Sequence, residues 1–340
     1  MNILVLSRQH QLLPFAYRLK REGHDVNGAI YHSGSRARYE DAYTGIMELA
    51  FRRRDKDRQR KLQALQELAQ EGKIVVLAND RRAMKEFTRA QYLFGRLPAE
   101  KHPQGTVRLG AWFSGEEFQA PHLLIVDQTA APGGLGAQAD AALTMLRLPH
   151  EALETHFPQV LELRDELKSR GFRGLCQWGL TAQDQGLQLS GDSVYGWPSL
   201  HTHAFLSDLE DFGAVLGGAE PVIPQRYTMA VVVSQAPWPL LAHEALKPTE
   251  VSKLSNAEMA RVFWHDAQAD QETRTMQTVG LDGQVAVVRG SGYSFELAQS
   301  RALQICHRLQ FHNRQFRPDA GGEVRRSLAL LESEFGLHFG

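Results

Sequence analysis

The sequence predicts a multi-domain protein of the mixed α/β (α+β) class. A chain of 340 residues is long for a single hydrophobic core, so more than one domain is expected. The opening stretch, 1–31, has the pattern strand, helix, strand, which is typical of a domain built on a parallel sheet. From about residue 226 the pattern changes to successive strand-like runs followed by a long helix.

The composition is that of an ordinary globular protein and excludes several classes. Hydrophobic residues make up 43% and charged residues 23%, and the net charge of −1 gives no overall attraction to nucleic acid or to an anionic membrane. No apolar run is long enough to span a bilayer, and the first residues lack the features of a signal peptide. Cys176 and Cys306 lie in apolar contexts, which indicates buried, reduced thiols. We therefore expect a cytoplasmic protein without a membrane partner.

The first 82 residues are expected to form a small domain on a parallel sheet. A strand-like NILVL opens the chain, a helical run ends at Gly23, and a second strand-like run follows. Apolar residues then recur at helical spacing as far as Gly72, and the apolar run KIVVLAND at 73–80 predicts a buried strand. The boundaries of this domain are set at 1–82.

One dense basic run, FRRRDKDRQRK at 51–61, lies within the second predicted helix. On a helix such a run is usually a solvated face with ion pairs four residues apart. The alternative is a local phosphate-binding patch, which would make a nucleotide or a nucleic acid a partner of this segment.

The remaining chain is expected to form two further domains, at 83–225 and 226–340. In the first, TVRLGAWFSGEEF and HLLIVDQT predict two strands joined by a turn, 151–171 predicts one helix, and 175–197 alternates like a β-meander. In the second, three strand-like runs precede a helix over 294–310.

A glycine cluster follows the second of these middle strands. Gly133, Gly134 and Gly136 lie within the stretch PGGLGAQ (132–138), and such clusters indicate positive φ or a close approach of the backbone to another group. Phosphate loops of the Rossmann and Walker kinds instead follow the first strand and open a helix. Two interpretations stay open: a loop that lines a substrate pocket, or a tight turn after a strand.

The C-terminal segment resembles the end of glycinamide ribonucleotide synthetase (phosphoribosylamine–glycine ligase), a family of the ATP-grasp superfamily. The strand GQVAVVRGSG is followed by a glycine turn and a helix, and FRPDAG (316–321) is similar to the family's closing Tyr-Arg-x-Asp-Ile-Gly. MKEFTR (84–89), FSGEEF (113–118) and PGGLGAQ are similar, in the same order, to Ser-Lys-x-Phe-Thr-Lys, Leu-x-Gly-Glu-Glu and Asn-Thr-Gly-Gly-Met-Gly-Ala. The resemblance implies an ATP-grasp-like fold with a shortened central region.

The same resemblance implies an activity and a set of site residues. The activity is that of a carboxylate–amine ligase, which joins glycine to a phosphorylated aminosugar with ATP and Mg²⁺. The candidate catalytic residues are Glu117, Asp192 and Arg317, and Asp192 is also the candidate metal ligand. The candidate substrate-binding residues are Gly133, Gly134, Gly136, Glu116 and Asp319.

Each candidate also has a structural interpretation. Glu116 and Glu117 fit a solvated turn, and Asp192 fits a turn residue, since a single carboxylate is a poor magnesium site. Arg317 and Asp319 fit a charge-assisted pair that ties the C-terminal domain to the central one. His201 and His203, in LHTHAF, would share one face of an extended strand but lack an obvious third metal ligand.

Much of the family's ATP-binding machinery has no counterpart in this sequence. Thr88 and Gly115 are only 27 positions apart (115 − 88), which is too short for the family's four-strand lid with its ATP-binding lysine. The family's paired acidic residues before Gly-Glu-Glu fall on Gly110 and Ala111, and its Glu-x-Asn leaves only Asp192 as a carboxylate. ATP and Mg²⁺ are thus implied by the resemblance and weakly supported by the residues.

Three function hypotheses from different classes follow. The first is a divergent ligase that joins an amino acid such as glycine to a phosphorylated acceptor. The second is an amino-acid transferase that acts on a pre-activated nucleotide or nucleic-acid base without ATP. The third is a non-catalytic binding protein on a degenerate ligase scaffold.

Overall fold

The structure is a computed structural model of the chain. It describes residues 1–7, 11–30, 47–48, 56–79, 81–95, 105–183, 186–240, 246–269, 275–280 and 283–335.

The N-terminal part is an α/β unit on a parallel sheet. Its elements, in chain order, are β1 (Asn2–Ser7), α1 (Leu13–Arg21), β2 (Asp25–Ile30), β3 (Met47–Glu48), α2 (Lys56–Gln70), β4 (Val75–Ala78), α3 (Arg81–Glu86) and β5 (Leu93–Phe94). The described strands pair in the order β3-β2-β1-β4-β5, and every pairing is parallel. The predicted strand, helix, strand opening is therefore confirmed. Of the basic run, 51–55 lies outside the described residues and 56–61 begins α2.

Strands dominate the rest of the chain. They are β6 (Val107–Phe113), β7 (Phe118–Thr129), β8 (Gln138–Arg147), β9 (Gly174–Gln183), β10 (Gly186–Gly196), β11 (Tyr227–Gln235), β12 (Glu250–Val251), β13 (Val262–Trp264), β14 (Ala267–Ala269), β15 (Met276–Thr278), β16 (Gln284–Gly292) and β17 (Arg314–Gln315). Across the described segments, one large antiparallel sheet has the order β10-β9-β6-β7-β8-β11-β16-β13, with β17 also paired to β11, and β12, β15 and β14 form a small sheet.

The large sheet crosses the domain border that the sequence suggested at 225/226. β8 pairs with β11, so that Leu146 lies opposite Tyr227. Every residue of β11 is buried because this strand lies between other strands and has helices on both faces of its sheet, which explains its unbroken apolar run. The pattern change at 226 marks a new stretch of strands that joins the same sheet.

Helices cover both faces of the large sheet. They are α4 (Ala152–His156), α5 (Pro158–Glu162), α6 (Arg164–Ser169), α7 (Ser199–Asp208), α8 (Phe212–Leu216), α9 (Asn256–Met259), α10 (Phe295–Arg308) and α11 (Gly322–Phe335).

The single helix expected over 151–171 is three short ones. Pro158 lacks an amide hydrogen and Phe157 leaves the helical region, with φ of −135°, so the chain bends there.

The hydrophobic residues form two cores on the two faces of the large sheet. On one face, side chains of β6, β7, β9 and β16 pack against α4–α6, α10 and α11. On the other face, side chains of β7 and β8 pack against α7 and α8, and these helices also contact α1 and the parallel sheet. A third core lies between the parallel sheet, α2 and α3. Within the described segments, no helix is long and apolar enough to cross a membrane.

Candidate functional site

The glycine cluster forms an open turn between β7 and β8. Backbone hydrogen bonds from the Ala131 amide to the Leu135 carbonyl (3.1 Å) and from the Ala130 amide to the Ala137 carbonyl (3.0 Å) close the turn. Gly133, Gly134 and Gly136 have φ of 67°, 75° and 85°, a region that residues with a side chain rarely adopt. The turn is exposed, and a Cβ on Gly133 or Gly134 would meet no atom of the described residues within 4 Å. Glycine is therefore required here by the backbone angles, and the outer side of the turn is open.

The C-terminal motif holds this turn. The Gly133 amide donates a hydrogen bond to Asp319 Oδ2 (2.9 Å), although the two residues are 186 positions apart. Arg317 donates to the same carboxylate through Nε (3.1 Å to Oδ1) and Nη2 (2.8 Å to Oδ2). The hydrogen bond from Arg317 contributes most to lowering the pKa of Asp319 below its usual value, so the carboxylate is charged at neutral pH.

The other side of Arg317 contacts β7. Its Nη1 donates to the carbonyl (3.3 Å) and the hydroxyl (3.1 Å) of Thr129, the last residue of that strand. Its Nη2 lies 3.8 Å from Asp127 Oδ1. Because Asp319 and Thr129 already accept hydrogen bonds from all three of its nitrogens, Arg317 has the contacts of a residue that positions the turn. The resemblance had implied a catalytic role.

Asp127 completes this cluster, and the sequence analysis did not select it. The carboxylate is buried, and its Oδ2 accepts a hydrogen bond from the Gly321 amide (2.7 Å), at the start of α11. Burial raises the pKa of Asp127, while the Gly321 amide and Arg317 act in the opposite direction. A signal was present in the sequence, because Asp127 is an acidic residue inside the apolar run LLIVDQT.

A second buried arginine holds the far side of the same turn. Arg108, on β6, donates through Nη1 (2.9 Å) and Nη2 (3.0 Å) to the two carboxylate oxygens of Asp140, near the start of β8. The arginine side chains are 5% (Arg108) and 6% (Arg317) exposed, while their partners are 43% (Asp140) and 38% (Asp319) exposed. The exposed segment 130–140 is thus held on both sides by buried arginines. No motif or pattern in the sequence indicates the pairing of Arg108 with Asp140.

Glu116 and Glu117 do not join this cluster. They lie in the turn before β7, where the Ser114 hydroxyl accepts hydrogen bonds from both of their amides (3.2 and 3.0 Å). Their largely exposed side chains pair with Lys168 and Arg164. The glycine turn is at the other end of this 12-residue strand, on the order of 35 Å away. Glu116 and Glu117 are therefore too far from the three glycines to line one pocket with them.

Asp192 lies on a different strand from the glycine turn, at the edge of the large sheet. It lies at an irregularity of β10, an edge strand that β9 and β6 separate from β7. Gly191, which precedes it, has φ of 80°, consistent with the turn-like interpretation. In the part of the chain that the structure describes, no group of three metal-ligating side chains includes Asp192. One carboxylate does not fit Mg²⁺, which needs several oxygen ligands in octahedral geometry.

His201 and His203 face different partners because LHTHAF is helical. Two positions along a helix correspond to about 200° of rotation, so the two rings do not share a face. His201 Nε2 contacts Nε2 of His122 on β7 (2.6 Å), and His203 Nε2 contacts Nε2 of His265 after β13 (2.8 Å). All four rings are buried. The histidines join α7 to the sheet in two separate pairs.

Comparison with known proteins bears on the fold. The sequence matches no protein-family model, and no curated protein matches it. Among solved structures, it is similar to phosphoribosylamine–glycine ligase from Thermotoga maritima, with 12% identity and a TM-score of 0.59 over 94% of this chain and 100% of the other. It is also similar to the biotin carboxylase subunit of pyruvate carboxylase (9% identity, TM-score 0.56, 93% and 92%). A third is the biotin carboxylase domain of a single-chain bacterial carboxylase (9%, TM-score 0.51, 98% and 94%).

These similarities establish the class of the fold. A parallel sheet at the N-terminus and a large antiparallel sheet after it match the ATP-grasp-like folds of the ligase and the carboxylases. The chain therefore has an ATP-grasp-like fold. At 9–12% identity the similarity extends to the fold alone.

Proposed function

We propose that this chain is an enzyme that joins an amino acid such as glycine to a phosphorylated acceptor, as a divergent relative of the carboxylate–amine ligases. The observation that supports this proposal is the contact between Gly133 and Asp319, 186 positions apart. The two residues belong to two stretches, PGGLGAQ and FRPDAG, that each resemble the ligase family. Their contact keeps the glycine turn in one conformation, with its outer side open to a ligand.

The open turn suits the approach of a small substrate to the main chain. A glycine with positive φ exposes its backbone without a Cβ, so a ligand can come closer than it can at other residues. In this proposal, Gly134 contacts the substrate, because the missing Cβ of Gly136 faces Ala131 across the turn. Arg317, Asp319 and Asp127 hold the turn in place from behind.

The first experiment measures ligand binding to the folded protein. Glycine, other amino acids and ATP with Mg²⁺ are added separately, at millimolar concentration, in a thermal-shift assay. We expect an amino acid to raise the melting temperature, because a ligand that binds only the folded state stabilises it. If no amino acid shifts the melting temperature, the proposal is wrong.

A second candidate, the ATP-independent transferase, is favoured by the short interval between Thr88 and Gly115. These residues are 27 positions apart (115 − 88), too close for the lid that holds ATP in the ligase family. In the transferase, the amine of the amino acid displaces phosphate or pyrophosphate from a carbon of the acceptor. A C–N bond forms as the C–O bond breaks, and the surplus amine proton passes to solvent. The acceptor is a nucleotide or a nucleic-acid base that arrives already activated.

Product analysis separates the candidates. The protein is incubated with glycine and a phosphorylated or pyrophosphorylated nucleotide, with and without ATP and Mg²⁺, and products are detected by mass spectrometry. A product that requires ATP supports the ligase, and a product formed equally well without ATP supports the transferase. Binding of an amino acid with no product in either arm supports the non-catalytic binding protein instead.

A further inference from the structure

Three metal-ligating side chains meet where the end of α1 contacts the start of α8. Glu22 follows the last residue of α1, His24 precedes β2, and Asp211 precedes the first residue of α8. One ligand atom from each residue lies within 4.8 Å of the other two. Residues nearly 190 positions apart thus present a nitrogen and two carboxylates to a common point.

The two carboxylates are held in place by the backbone of α8. Glu22 Oε2 accepts a hydrogen bond from the Gly213 amide (3.0 Å), and Asp211 Oδ1 accepts one from the Ala214 amide (2.7 Å). Arg18 Nε donates to Glu22 Oε1 (2.8 Å), and the Met1 amino group lies 3.4 Å from His24 Nδ1, so the site also has two nearby cations. Each carboxylate oxygen has a second lone pair, so these bonds leave both side chains able to act as ligands.

His24 contributes an imidazole whose two nitrogens differ. Nδ1 contacts the Met1 amino group (3.4 Å), whereas Nε2 is inaccessible to solvent and has no hydrogen-bond partner among the residues that the structure describes. Position 213 is glycine, and a Cβ there would overlap the His24 ring. The absence of a side chain at Gly213 therefore gives the imidazole its place beside the two carboxylates. A buried nitrogen left without a partner is unfavourable, and a bound cation would remove that cost.

We propose that Glu22, His24 and Asp211 form a binding site for a divalent transition-metal ion of the zinc type. One imidazole nitrogen with two carboxylate oxygens suits Zn²⁺ or Co²⁺, whereas Mg²⁺ and Ca²⁺ select oxygen ligands alone. Bonds of about 2.1 Å place tetrahedral ligand atoms roughly 3.4 Å apart, so the ligands close in by small side-chain rotations. Water completes the coordination.

The site joins two parts of the fold. Glu22 and His24 belong to the parallel-sheet unit, while Asp211 begins a helix that packs on the large sheet. A metal ion held by all three would stabilise the contact between these parts. The site is remote in sequence from the glycine turn and does not depend on the proposed function.

Cobalt titration tests the site directly on the full chain. Co²⁺ bound by nitrogen and oxygen ligands in tetrahedral geometry gives a visible absorption band that aqueous Co²⁺ lacks. We expect one equivalent of Co²⁺ to bind to the metal-free protein, Zn²⁺ to displace it, and Zn²⁺ to raise the melting temperature. Absence of saturable Co²⁺ binding would overturn the proposal.

Variants assign the ligands. Asp211→Asn keeps an oxygen that can accept from the Ala214 amide, since asparagine is as good an N-cap as aspartate, so this variant should fold normally. We expect Asp211→Asn and His24→Gln to weaken Co²⁺ binding by at least about tenfold. The exposed residues His150 and Asp165 supply matched controls, His150→Gln and Asp165→Asn, which should bind like the parent chain. Equal affinity in all four variants would mean that the metal binds elsewhere and that the proposal is wrong.

Discussion

Arg317 donates two hydrogen bonds, of 3.1 and 2.8 Å, to the carboxylate of Asp319, which is only two positions further along the chain. The pair is close in sequence, but its other contacts are distant: Arg317 reaches Thr129, and Asp319 accepts from the Gly133 amide. The ion pair therefore connects the segment before α11 to the start and to the middle of one turn. A buried charge at this position stabilises the fold only while its partners remain.

Replacement of Arg317 by glutamine should destabilise the protein strongly. The change leaves Asp127 and Asp319 without their cation, and breaking a buried ion pair typically costs about 3–5 kcal/mol. The measurement is the free energy of unfolding in urea. Arg326→Gln is the control, because Arg326 is exposed and, among the described residues, pairs with Glu323 alone. Its loss should cost about 0.5 kcal/mol or less. Similar costs for the two variants would contradict the positioning role.

The sequence predicts the two parts of this cluster, the glycine turn and the Arg317–Asp319 pair, but not the contact between them. Gly133 and Asp319 were both selected because each lies in a motif-like stretch, and FRPDAG suggested a pair that ties the C-terminal segment to the rest. The partner of that pair depends on which turn comes to lie beside it, and a sequence does not reveal contacts 186 positions apart. The role of Arg108 is not predicted for the same reason, because its partner Asp140 lies on β8, which β7 separates from β6.

The histidine prediction shows a second limit. LHTHAF was considered in extended form, which would place His201 and His203 on one face, but the segment is helical. All residues of α7 from Leu200 onward are buried, so this helix has no amphipathic pattern from which helical periodicity could be predicted. Buried segments hide their period, and side-chain direction then follows from the tertiary packing.

Gly134→Val tests the role of the open turn. A valine at φ of 75° is strained, so we expect a loss of about 1–3 kcal/mol in unfolding free energy together with loss of amino-acid binding. Gly171→Val is the matched control, because Gly171 has φ of 62°, an equally open surrounding, and a place at the end of α6. It should be strained to a similar degree yet bind the amino acid normally in a thermal-shift assay. If both variants bind equally well, the turn does not contact the ligand.

Gly110→Ala should destabilise the protein through His122. A Cβ at Gly110 would overlap the imidazole, which cannot easily move because Nδ1 contacts the Ala120 carbonyl (2.7 Å) and Nε2 contacts His201. Overpacking of this kind costs about 1–3 kcal/mol in unfolding free energy. Gly322→Ala provides the comparison, because its Cβ would meet open space and its φ is not positive, so it should be neutral or slightly stabilising. Two neutral variants would mean that the ring can leave its place freely.

The His122–His201 pair should make the fold sensitive to mild acid. Burial lowers the pKa of His122 to about 4, while burial and then the neighbouring His122 and Arg108 lower the pKa of His201 well below its usual value. The unfolded chain takes up these protons near pH 6.5, and the folded chain does so only at lower pH. The contribution of these two neutral histidines to the free energy of unfolding is therefore complete above about pH 6.5, and it is lost as the pH falls towards about 4. His122 alone accounts for roughly 2 kcal/mol between about pH 7.5 and about pH 5.

The test compares unfolding free energies in urea at those two pH values for the parent chain and for His122→Gln. The difference between the two pH values should be smaller in the variant by about 2 kcal/mol, because glutamine does not titrate. Asp127 and Asp208 act in the opposite direction, since burial raises their pKa values and their proton uptake favours the folded state in acid. They are present in both proteins, so comparing the variant with the parent cancels their contribution. His150→Gln, which replaces an exposed histidine, serves as the control for the substitution itself. If His122→Gln has the same pH dependence as the parent, then His122 takes up its proton in the folded state as readily as in the unfolded chain.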